Sequence, residues 1–129
     1  MFVSNSKFAK AEYQVLRNDA QWAERWRPAT REVSVGSPQL FVKDHGSSGN
    51  LVHHTYLLSR LEALLEHEVG RFDFVYEFGG GYGDMAKLFG NLGFSGRYLI
   101  YDFELFSRLQ AWYLSCLGRS TIVGEIPVD

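Results

Sequence analysis

Four glycines in five positions, Gly79, Gly80, Gly81 and Gly83, constrain this chain more than any other feature. Glycine adopts positive φ without strain and lets another molecule approach the backbone without meeting a Cβ, so the cluster marks a tight, open turn. What flanks it sets its place. Phe72-Asp73-Phe74-Val75-Tyr76-Glu77-Phe78 comes first, an aromatic and β-branched run that reads as a buried strand. Asp84-Met85-Ala86-Lys87-Leu88-Phe89 follows at helical spacing and is closed by Gly93 and Gly96. Arg97-Tyr98-Leu99-Ile100-Tyr101 then forms a second strand that ends on Asp102. Strand, glycine loop, helix, strand and acid make one βαβ unit, which puts the chain in the α/β class.

In such a unit the helix aims its unpaired N–H groups and the positive end of its dipole at whatever occupies the loop. A carboxylate at the tip of the second strand can accept both hydroxyls of a ribose. Spacing then selects the nucleotide. The dinucleotide fingerprint G-x-G-x-x-G, counted from Gly79, needs glycine at 84, but that position is Asp84 and the third glycine is Gly83. The pattern present is E-x-G-x-G-x-G, with Glu77 two residues ahead of Gly79. An acid beside the loop repels a pyrophosphate and suits a cofactor with a cationic amino group. A nicotinamide-binding oxidoreductase half-domain lacks its fingerprint here and leaves Glu77 without a role.

Glu77-Phe78-Gly79-Gly80-Gly81-Tyr82-Gly83, with Asp102 beyond it, resembles the first two motifs of class I S-adenosylmethionine-dependent methyltransferases. The continuation YLIYDFELFSRLQAWYLSCLG is similar to a bacterial group of sugar O-methyltransferases, over roughly Val35 to Gly124. The resemblance implies a Rossmann-like three-layer α/β/α sandwich, S-adenosylmethionine as cofactor, and in-line methyl transfer to the oxygen of a sugar or other small hydroxyl compound. It implies that Glu77 serves the amino-acid end of the cofactor, that Gly79, Gly80, Gly81 and Gly83 close the backbone around it, and that Asp102 holds the ribose. Phe103 would pack beside the adenine, and Glu125 or Asp129 lies in range of its amino group. By the same resemblance the loop ahead of the preceding helix brings Asn50, His53 and His54 to the pocket. Either histidine could take a proton from a sugar hydroxyl, since its ordinary pKa is near neutral. Most histidines at helix starts are merely solvated or hydrogen-bonded, so the catalytic base stays open.

Only one helix and one short strand follow Asp102, so the expectation is a sheet truncated after about the third strand. Residues 1–50 then form an N-terminal helical and irregular extension, and residues 51–129 the N-terminal half of the cofactor-binding domain. A sheet cut there exposes an edge and an apolar helix face, which favours self-association or a homo-oligomer. A non-catalytic remnant or binding module that keeps the βαβ unit is the competing reading.

The remaining elements follow from periodicity. Lys7 to Trp26 reads as one amphipathic helix, ended by Arg27-Pro28. Leu40-Phe41-Val42 forms a short strand and residues 44–50 a polar loop. Asn50 or Thr55 caps a helix to about Val69, with Tyr56, Leu57, Leu61, Leu64, Leu65 and Val69 as its apolar stripe and Gly70 as its stop. Glu104 to Leu117 is a second crossover helix that buries Leu105, Phe106, Leu109, Trp112, Tyr113, Cys116 and Leu117. Thr121-Ile122-Val123 is the third strand.

Composition narrows the class. The chain has 129 residues, and an aromatic content of 16% supplies enough bulk for a core. A formal net charge of −2 argues against a dedicated nucleic-acid binder. No apolar run approaches the roughly 20 residues of a membrane span, and Met1 to Lys7 has no signal-peptide shape, so a cytoplasmic protein is expected. Cys116 stands alone, which rules out an internal disulfide and reads as a small buried residue. His45, His53 and His54 have no acidic or cysteine ligands in pattern with them, so no metal site is expected.

Overall fold

A computed structural model describes residues 7–43, 46–119 and the backbone of 122–125. Among these the protein is mixed α/β, with five α-helices and two small sheets, and it divides into compact units 1–69 and 70–129. His45, Thr121 and Asp129 lie outside the described residues.

The first unit opens with α1 (Lys7–Arg17), which buries Ala9 and Leu16. It stops nine residues short of the expected end at Trp26. The reason is local: Asp19 Oδ1 accepts the Gln21 N–H at 2.7 Å, and this short acid competes with the helical ladder. A π-helical turn, Trp22–Trp26, then runs directly into α2 (Arg27–Ala29). Pro28 therefore does not end the helix; it sits at the start of α2, where its missing N–H costs least.

β1 (Leu40–Val42) pairs antiparallel with β2 (Ser47–Ser48). Because Ser48 is still extended as α3 (Gly49–Leu65) begins, its Oγ reaches the Leu51 N–H at 3.1 Å. Ser48 is thus the cap, in place of Asn50 or Thr55. α3 packs against α1 and buries Leu51, Val52, Thr55 and Leu58, while Leu57, Leu64 and Leu65 of the expected stripe are exposed. It also ends before Val69. Glu66 takes the left-handed conformation, and Glu62 Oε1 draws the chain back by accepting the Val69 N–H at 2.8 Å and Arg25 Nη2 at 2.5 Å. α3 falls in the first unit.

The second unit is the βαβ pattern extended by one strand. β3 (Phe74–Phe78), α4 (Asp84–Asn91), β4 (Arg97–Asp102), α5 (Glu104–Cys116) and β5 (Ile122–Glu125) alternate along the chain. The three strands are parallel in the order β3-β4-β5, with Phe74 against Arg97 and Asp102 against Glu125. Alternation puts Val75, Glu77, Tyr98, Ile100 and Asp102 on one face. On that face Tyr98 and Ile100 are buried, and Phe89 and Phe94 meet the Tyr98 ring edge-on at 5.3 and 5.9 Å.

The other face carries Phe74, Tyr76 and Phe78, and all three are exposed, Phe78 by 70%. The run expected to be a buried strand is therefore buried on one side only. α5 is also turned around relative to expectation. It buries Ser107, Gln110, Tyr113 and Leu114, while Leu105, Phe106, Leu109, Trp112 and Cys116 are exposed. Its inward stripe is the one that meets the glycine loop and Asp102. No helix among the described residues is long and apolar enough to cross a membrane.

Candidate functional site

The glycine loop begins where the β3–β4 ladder runs out. Gly79 donates to Tyr101 O at 3.0 Å, one step past the strand, and Gly83 N–H closes a turn onto Gly80 O at 2.9 Å. Gly83 caps α4 at φ +100, and a Cβ there would also lie 3.3 Å from Leu114. A Cβ on Gly80 would come within 2.5 Å of the Ile100 side chain and 3.1 Å of Glu77 Oε2. At Gly80 and Gly83 a side chain has no room, and Gly79 and Gly81 hold positive φ, +76 and +56, so the fold favours glycine at all four positions. An added Cβ at Gly79 or Gly81 meets nothing within 4 Å, so those positions leave the outer side of the loop open to a ligand.

Glu77 lies under this loop. Its Oε2 accepts the Tyr98 hydroxyl at 2.9 Å, across the diagonal of the β3–β4 pair. Burial, then the charge of Glu77 and the hydrogen bond to it, push the Tyr98 phenol far above its ordinary pKa. Tyr98 is therefore a permanent donor that holds the carboxylate in place beneath Gly80.

Asp102 ends β4 and is 7% exposed. Its Oδ1 accepts the Phe103 N–H at 2.8 Å, and its Oδ2 accepts Gln110 Nε2 at 2.8 Å. The same Nε2 donates to Gly81 O at 2.9 Å, so one amide of α5 touches both the acid and the loop. Two further contacts bind the loop to α5: Tyr82 meets Tyr113 edge-on at 5.1 Å, and Gly83 approaches Leu114. Ser107 Oγ donates to Asp102 O at 3.3 Å. Phe103 is exposed beside the acid, and Glu125 registers next to Asp102 on β5. Behind the loop, Lys87 Nζ lies 2.7 Å from Asp84 Oδ1, with the two side chains only 1% and 2% exposed.

Glu77, Gly79, Gly80, Gly81, Gly83, Asp102 and Phe103 thus meet at one end of the parallel sheet in the second unit. His53 and His54 belong to α3 in the first unit. Glu12 Oε1 sits 2.8 Å from His53 Nδ1, within hydrogen-bond reach. Among the described residues no group of three or more histidine, cysteine, aspartate and glutamate side chains is placed to hold a metal ion.

Sequence reasoning missed Gln110 and Tyr98. For Gln110 a signal was present: Ser107, Gln110 and Leu114 recur at threes and fours, a part-polar stripe in a helix otherwise rich in apolar residues. For Tyr98 none was, because alternation shows a side chain's face and not its diagonal neighbour. No protein-family model matches the sequence, and no curated protein or solved structure is significantly similar to it.

Proposed function

We propose that the second unit is part of a Rossmann-like methyltransferase fold that binds S-adenosylmethionine and serves methyl transfer to an oxygen of a sugar or other small hydroxyl compound. The observation that carries this reading is the pairing of an open glycine loop over Glu77 with a fixed carboxylate, Asp102, at the tip of the adjacent strand. The residues suit the cofactor. Each Asp102 oxygen accepts one hydrogen bond from the protein and keeps acceptor capacity for a ribose hydroxyl. Glu77 provides negative charge for an α-amino group, and Phe103 offers an exposed ring to a base.

When bound, S-adenosylmethionine supplies a methyl group on a positively charged sulfur. The chain's share is positioning: the loop backbone and Asp102 hold the two ends apart at a set distance, which converts an encounter into an oriented approach. The nicotinamide alternative remains disfavoured by Asp84 at the position where its fingerprint needs glycine.

Calorimetric titration with S-adenosylmethionine, S-adenosylhomocysteine and NADH tests the reading. Both sulfur ligands bind and NADH does not, and Asp102→Ala weakens the sulfur ligands by about tenfold to a hundredfold, the worth of hydrogen bonds to a charged group. NADH binding, or no binding of either sulfur ligand, overturns it. Binding without transfer to any polyol acceptor assigns a binding module, a reading that the exposed faces of β3 and α5 also favour.

A further inference from the structure

The amide of Gln110 stands at the junction of the two halves of the site. It comes from α5, 29 residues beyond Gly81 and eight beyond Asp102, and is fully buried. We propose that Gln110 is the positioning residue of the site, coupling the glycine loop to the carboxylate of Asp102 so that neither can move without the other. The proposal rests on the cofactor reading above for its ligand, and on the geometry alone for the coupling.

Both hydrogens of the amide are committed, one to Gly81 O and one to Asp102 Oδ2. The orientation is forced. Turned over, the amide would set Oε1 against a carbonyl and a carboxylate, two acceptors facing a third. Fixing Gly81 C=O fixes the whole peptide plane between Gly81 and Tyr82, because that plane is rigid. This is the middle of a loop whose glycines lose more conformational freedom on ordering than any other residues, so a single tie there has a large effect. At its other end the tie completes the hold on Asp102, whose two oxygens are then anchored on different groups, the Phe103 N–H and Gln110.

What remains of Gln110 points the same way. Its Oε1 is buried and has no hydrogen-bond partner among the described residues. A buried carbonyl in that state is destabilising. An amide kept under that penalty is explained by its donors. Gly81 and Asp102 are the groups expected to meet opposite ends of one ligand, the amino-acid end and the ribose, so the tie presets the distance between them.

The test compares the full chain with Gln110→Leu, which keeps the bulk and removes both donors, and with Gln110→Glu, which keeps the shape. Two readouts are used: S-adenosylhomocysteine affinity across pH, and amide hydrogen exchange at residues 79–83 without ligand. Gln110→Leu weakens S-adenosylhomocysteine by about tenfold or more and speeds exchange at 79–83, while exchange in β4 stays as in the parent. Gln110→Glu binds poorly when its carboxylate faces Asp102 and regains affinity as acid protonates it and restores a donor, a pH profile that a packing role does not produce. If Gln110→Leu fails to fold, the pH profile of Gln110→Glu decides. Unchanged affinity and loop exchange overturn the proposal, as does faster exchange spread evenly over the second unit. If the parent chain binds no S-adenosylhomocysteine, the cofactor reading falls, and loop exchange alone decides the role of Gln110: local acceleration supports it and no change overturns it.

Discussion

Tyr98 and Glu77 show how one residue pair ties stability to pH. The phenol is the donor and the carboxylate the acceptor, and the folded state favours the protonated phenol by burial first and by Glu77 second. Its pKa is thus higher folded than unfolded, and the stability it contributes is complete below the unfolded value of about 10. Above that pH the unfolded chain releases the proton while the folded chain keeps it, so stability falls as pH rises. Tyr98→Phe should lose about 1–3 kcal/mol at neutral pH, the worth of a hydrogen bond to a charged group, and should show a flatter alkaline limb. Denaturant unfolding followed from neutral to alkaline pH checks both, and parallel alkaline limbs in the two proteins would refute the assignment. Glu77 itself was legible, because its distance from Gly79 is a feature of sequence. Its partner was not, since Tyr98 registers against Val75 and reaches Glu77 only across the diagonal.

At the scale of the element, legibility depended on how many faces a helix has to satisfy. β3, α4 and β4 were readable because glycines bound them and Asp102 marks the strand tip. α5 was not, because it carries two stripes, Leu105, Leu109, Trp112 and Cys116 on one side and Ser107, Gln110 and Leu114 on the other. Counting apolar residues selects the first. The loop and Asp102 need the second, since only polar groups satisfy a backbone carbonyl and a carboxylate there. α1 was read too long for a comparable reason: hydrophobic period persists through Asp19, but the carboxylate captures the Gln21 N–H. α4 carries its own test in the buried pair Asp84–Lys87. Lys87→Met removes the cation beside a buried carboxylate and should cost about 3–5 kcal/mol, while Asp84→Asn combined with Lys87→Met should cost clearly less than the two single changes together. A double-mutant cycle by chemical denaturation measures this, and additive effects would mean that the two charges do not stabilise each other.

At the scale of the molecule the uncovered surface matters most. Phe74, Tyr76 and Phe78 share one face of β3, Tyr101 of β4 lies 6.2 Å from both Tyr76 and Phe78, and β3 pairs only with β4 among the described residues. An aromatic face that runs out to a strand edge offers another chain both apolar area and backbone hydrogen bonds. The chain should therefore self-associate with rising concentration in sedimentation velocity, and added salt should not reverse this, because the contact is apolar rather than ionic. Phe74→Thr with Phe78→Thr keeps β propensity, removes most of the exposed aromatic area, and should restore the monomer. Glu77 and Asp102 sit on the opposite face, so the double variant should match the parent in any S-adenosylhomocysteine binding that the parent shows. A parent chain that stays monomeric at all concentrations would remove the exposed face as a cause of association. Loss of ligand affinity together with association would instead mean that the two faces work as one site, contrary to the alternation that separates them.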